Sequence, residues 1–79
     1  MAYEVKLSQA AQDDWKGFSG RVQSAIFNTM RGDLAKRPEA VGVALTGVLT
    51  GYLSLVRGSY KVVYRVTSDE VLIQSIRHR

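Results

Sequence analysis

Arg57, Lys61, Arg65, Arg77, His78 and Arg79 are the side chains of this sequence whose types and spacing suit shared chemistry. His78 is the only histidine, and a histidine's ordinary pKa suits proton transfer near neutrality. Lysines and arginines gathered on one sheet can clamp phosphate oxygens. They can also offset the charge that builds on a phosphoryl group during transfer. RNA cleavage without a metal needs a base for the 2′-hydroxyl, a cation at the phosphate and an acid for the departing 5′-oxygen. The same residues also read more simply, as a solvated basic surface ending in an exposed histidine.

Other chemistries find little here. The chain has no cysteine, hence no thiol nucleophile, disulfide framework or cysteine-based zinc site. A single histidine argues against a metal site built on imidazoles, so neither a metal nor a cofactor is expected. The glycines at 47, 51 and 58 match neither a Walker loop nor a dinucleotide fingerprint. A Ser-His-Asp triad would depend on His78, the last residue but one, where chains tend to fray.

The 79 residues suffice for one small domain, residues 1–79, and 46% hydrophobic content favours a folded chain. No apolar run reaches the roughly 18 residues of a membrane helix. The start, Met-Ala-Tyr-Glu-Val-Lys, lacks the apolar stretch of a signal peptide, so a cytoplasmic protein without membrane contact is expected. Of the net charge of +4, residues 1–39 carry +1 and residues 40–79 carry +3. That bias suits a polyanion such as nucleic acid, or an acidic protein.

Several elements must position these cations. Gly51–Val66 reads as two strands joined by a tight turn at Arg57-Gly58-Ser59, with Gly58 supplying the positive φ. In the second strand Tyr60, Val62, Tyr64 and Val66 alternate with Lys61, Val63 and Arg65. One face is thus apolar, and the other presents two cations in a line. Tyr3–Leu7 alternates as a half-buried strand. Ser8 is a good N-cap for a helix over Gln9–Phe18, with Ala11, Trp15 and Phe18 on its core side. Arg21 to Lys36 reads as a second helix along Val22, Ile26, Met30 and Leu34, with Gly32 inside it and Pro38 ending it. Residues 39–42 read as a connection, and Val43–Leu49 as a short strand or an irregular apolar segment. Val71–Ile76 is apolar on both faces, which places it inside a sheet. The expected fold is α+β, in the order β-α-α-β-β-β. A helical hairpin packs on a small antiparallel sheet, and the first strand adds at an edge or beside the last strand.

With these residues in place the chain resembles the RelE/ParE superfamily of toxins from bacterial type II toxin–antitoxin systems. The resemblance covers most of the chain. It begins at Tyr3-Glu-Val-Lys-Leu7 with Ser8-Gln-Ala-Ala. It continues through Arg37-Pro38, Val41-Gly42, Leu45-Thr-Gly47 and Leu49-Thr-Gly51. It is closest at Ser54 and Arg57-Gly58-Ser59-Tyr60-Lys61-Val62-Val63-Tyr64 and ends at His78-Arg79. It implies a RelE-like fold and, for the RelE branch, ribosome-dependent cleavage of mRNA that inhibits translation. The implied partners are a cognate antitoxin, the ribosome and mRNA. Arg57, Lys61, His78 and Arg79 are the implied catalytic residues; Arg65 and Arg77, added by the reading of the strand cations rather than by the resemblance, join Arg57 and Lys61 as the expected RNA contacts.

The chain departs from that branch at three points. Residues 38–56 contain no Lys, Arg or His; Lys61 stands where members carry Arg; and no Tyr follows His78-Arg79. These departures keep two other readings open. One is a non-catalytic ParE-like inhibitor of DNA gyrase. The other is an attenuated toxin that mainly binds its antitoxin.

Overall fold

Residues 2–79 are described here by a computed structural model, and Met1 lies outside them. The elements are β1 (Glu4–Leu7), α1 (Gln9–Lys16), α2 (Gly20–Arg31), α3 (Asp33–Lys36), α4 (Pro38–Val41), β2 (Val43–Ala44), a 3₁₀ turn (Gly47–Leu49), β3 (Leu53–Arg57), β4 (Tyr60–Val66) and β5 (Glu70–His78). The five strands form one sheet in the order β1-β5-β4-β3-β2. β5 lies inside it, as its two apolar faces predict. β1 takes the outer edge beside β5 and runs parallel to it, which makes an otherwise antiparallel sheet mixed.

Ser8 is where β1 becomes α1. Its hydroxyl accepts from the Ala11 amide at 3.0 Å and donates to the Gln74 carbonyl at 2.9 Å, while its own amide donates to the Ile73 carbonyl. One residue thus caps a helix and pins β5. It does so at a bulge: Val63 pairs with Ser75 but Tyr64 pairs with Ile73, so Gln74 is the extra residue on β5. Simple alternation groups Val71, Ile73 and Ser75 on one face and Ile76 on the other. The bulge corrects this, turning Ile76 onto the face of Val71 and Ile73, all three buried.

The helices cover that face. The core joins Ala11, Phe18, Ile26 and Leu34 to Leu55, Tyr60, Val62, Tyr64, Val71, Ile73 and Ile76, with Trp15, Val22 and Met30 packed partly buried against it. Trp15 Nε1 donates to the Gln23 carbonyl at 3.3 Å, and Gln23 Nε2 returns a bond to the Trp15 carbonyl at 3.0 Å, tying α1 to α2. Tyr64, fully buried, donates to the Pro38 carbonyl at 2.6 Å.

The helix boundaries differ from the periodicity. α1 ends at Lys16, its cap being Gly17, rather than at Phe18. The expected second helix is two: at Gly32 the backbone takes φ −93°, ψ −102°, then re-enters a helical turn at Asp33. Pro38 ends α3 and also opens α4, since a proline lacks only an amide that a first-turn position leaves unpaired. The apolar segment from Val43 forms a two-residue edge strand and then a 3₁₀ turn.

Candidate functional site

The hairpin fixes the register of every cation on the strands. Arg57 pairs with Tyr60, so the turn is the two residues Gly58-Ser59, and Arg57 is the last residue of β3 rather than part of the turn. Gly58 has φ +52°, and Ser59 is not in the positive-φ region. Glycine first and an ordinary residue second is the pattern of a type II′ hairpin.

Residues paired directly across an antiparallel ladder share a face. Arg57, Tyr60 and His78 therefore form one row across β3, β4 and β5 on the helix-covered face. Tyr60 Oη is 2.7 Å from Thr29 Oγ1 on α2. The His78 ring rests on Phe18, centroids 4.4 Å apart and planes inclined by 40°. The next row, Val56, Lys61 and Arg77, belongs to the open face. Grouping the cations as one surface is thus corrected: Lys61, Arg65 and Arg77 lie on the open face, while Arg57 and His78 lie on the other. Five of the residues still fall at one end of the sheet. Arg57 and His78 occupy its last row, and Lys61 and Arg77 the row before. Arg79 is drawn in by its amide, which donates to the Ser59 carbonyl at 2.8 Å. Arg65 stands apart, paired with Leu72 and roughly 13 Å along the strand from Lys61. Arg77, just past the strand expected over Val71–Ile76, lies within β5.

Lys61 and Arg77 face each other with like charge, an arrangement that costs stability. Arg77 Nη1 is 3.9 Å from Asp14 Oδ1, a loose contact, and the other Asp14 oxygen accepts from the Ile76 amide at 3.0 Å. A shallow groove of about 270 Å³ opens beside these groups, bordered by Asp14, Phe18, Arg77 and His78. A wider concavity of about 590 Å³ lies between α1 and α2 at Trp15 and Phe27, but none of the six residues borders it.

Two acids that the sequence reading left without a role meet the cations. One is Asp14. The other is Asp33, whose Oδ2 accepts from Arg57 Nη2 and whose Oδ1 accepts from Arg37 Nη2 at 3.1 Å. Arg57 first, and Arg37 second, hold the Asp33 carboxyl below its ordinary pKa. The sequence carried half of this signal: Arg37 is four residues beyond Asp33, and Asp33 follows a glycine inside an apparent helix. Among the described residues no three His, Cys, Asp or Glu side chains cluster as a metal site would, and no helix is long and apolar enough to cross a membrane.

No family model matches the chain. Toxin RelG of Mycobacterium tuberculosis is 32% identical over 81 residues, covering 100% of this chain and 93% of RelG. A chain in the crystal structure of the toxin–antitoxin complex RelBE2 from Mycobacterium tuberculosis superposes with a TM-score of 0.96 at 31% identity, all of each chain being covered. The isolated E. coli RelE toxin shares the fold at a TM-score of 0.74 and 21% identity, over 98% of this chain and 84% of that one.

Proposed function

The chain belongs to the RelE family of type II toxin–antitoxin toxins, and from that premise we propose that it inhibits translation as a metal-independent, ribosome-dependent mRNA endoribonuclease. The observation that carries this reading is the placement of Lys61 directly opposite Arg77 on the open face, one row from Arg57 and His78. A fold gains nothing from opposing two cations, whereas a phosphodiester between them relieves the repulsion and is held from both sides.

In this mechanism Lys61 and Arg77 bind the scissile phosphate, and Arg57 and Arg79 reach it from the end of the sheet. Their charge favours the pentacoordinate transition state over the ground state. His78, steadied against Phe18, relays the proton: it accepts from the 2′-hydroxyl and then donates that proton to the departing 5′-oxygen. The 2′-oxygen bonds to phosphorus as the bond to the 5′-oxygen breaks, leaving a cyclic phosphate and a free 5′-hydroxyl. Arg65, farther along β4, contacts RNA backbone beyond the reacting group. The ribosome orients the mRNA, a task that a sheet end of 79 residues has little surface to perform alone.

The partner is a cognate antitoxin, as in the RelBE2 complex that the chain resembles. An acidic segment that orders on binding would suit the basic open face. The proposed compartment is the cytoplasm, where ribosomes and mRNA meet, and residues 1–79 act as a single domain. Primer extension on programmed ribosomes tests the reading. Cuts inside the A-site codon, absent from the same mRNA without ribosomes, are expected. No cuts on ribosomes would overturn it and turn attention to DNA gyrase.

A further inference from the structure

We propose that Asp33 is a positioning residue for Arg57, and that the break at Gly32 delivers it to that place. Asp33 lies seven residues after Ile26 and three after Met30. In an unbroken helix that spacing puts it on the stripe that faces the core. With the break, Leu34 keeps its place in the core, fully buried, while Asp33 sits at the rim, its side chain 28% exposed. Each carboxylate oxygen then takes one guanidinium, Oδ2 from Arg57 and Oδ1 from Arg37.

This geometry serves placement more than stability. Arg57 is a long side chain at the end of a strand, 43% exposed, and ion pairs at such sites contribute little to folding. Held by its Nη2 group, the guanidinium keeps its remaining donors for a phosphate. Arg37 fixes the carboxylate from the other side, so the anchor is itself anchored.

The cleavage readout rests on the nuclease reading, and a second readout does not. Single-turnover cleavage on programmed ribosomes is compared for the wild type, Asp33→Asn, Arg57→Ala and the double variant, with Asp33→Glu as the conservative rescue. Asp33→Asn is expected to cut about tenfold more slowly with unchanged ribosome affinity, and Asp33→Glu to recover part of the loss. In the Arg57→Ala background Asp33→Asn is expected to cost nothing further, because it acts through Arg57. Wild-type cleavage by Asp33→Asn, or the same tenfold loss without Arg57, would overturn the proposal. NMR of the arginine side chains reads the clamp without any chemistry. A slowly exchanging Arg57 guanidinium in the wild type that becomes fast in Asp33→Asn upholds it, and identical exchange in the two proteins sinks it. A wild type that cuts nothing would remove the nuclease reading and leave the clamp to that second measurement.

Discussion

Ser8 and Gln74 are joined by a hydrogen bond of 2.9 Å from a helix cap to the extra residue of a β-bulge. The bond matters because the bulge sets the faces of the rest of β5. Beyond it Ile76 enters the core and His78 meets Phe18, while Arg77 turns to the open face. A local choice at the start of α1 is thereby coupled to the candidate site at the far end of the sheet.

Replacing Ser8 by Ala removes both the cap and that bond. The expected cost is about 1–2 kcal/mol, read from urea unfolding. The loss should be accompanied by shifted amide resonances from Gln74 to His78. A variant as stable as the parent would show that the bulge holds without Ser8.

Tyr64 offers a second test in the core. Its hydroxyl satisfies the Pro38 carbonyl, and a Cβ at Gly42 would overlap that hydroxyl. Tyr64→Phe leaves the carbonyl unpaired and is expected to cost about 1–3 kcal/mol. Gly42→Ala is expected to destabilise as well, through steric overlap, and Gly42→Ala combined with Tyr64→Phe should be less harmful than the sum of the two. Additive losses in urea unfolding would contradict the contact.

Stability should form a plateau in pH with two different flanks. Arg57 lowers the Asp33 pKa from 3.8, and Lys6 lowers that of Glu70 from 4.5. Both contributions are present above the unfolded values and lost as pH falls through the lowered ones. Glu70 raises the Lys6 pKa from 10.5, and burial raises that of Tyr64 from 10.0. Those two contributions are present below the unfolded values and lost as pH rises through the raised ones. Thermal midpoints should be level between about pH 5 and 9. Asp33→Asn should flatten the acid flank, and Tyr64→Phe the alkaline one. Unaltered flanks in these variants would show that other groups control them.

Much of this could be read from residue order. The alternation of β4 and the positive-φ demand at Gly58 are local signals, and each located its element. The stripe from Val22 to Leu34 found the core side of α2, and the apolar faces of Val71–Ile76 put β5 inside the sheet. Three features depended on long-range contacts. Val71–Ile76 is apolar in either register, so nothing local marks Gln74 as extra. Reading Arg57 as a turn residue left its face open, because a two-residue and a three-residue turn place it differently. Asp33 falls on the apolar stripe of an unbroken helix, and only the break at Gly32 brings it to Arg57 at the end of β3. The types of the candidate site residues were therefore legible, but their division between two faces was not.

The opposition of Lys61 and Arg77 is the centre of the functional account, and it separates activity from stability. The decisive measurement is cleavage on programmed ribosomes by Lys61→Ala and Arg77→Ala, with unfolding midpoints taken on the same samples. The account predicts that each variant loses about 100-fold in cleavage. Each should also match or exceed the wild type in stability by about 0.2–1 kcal/mol, since a like-charge pair has been removed. Wild-type cleavage by both variants would contradict it.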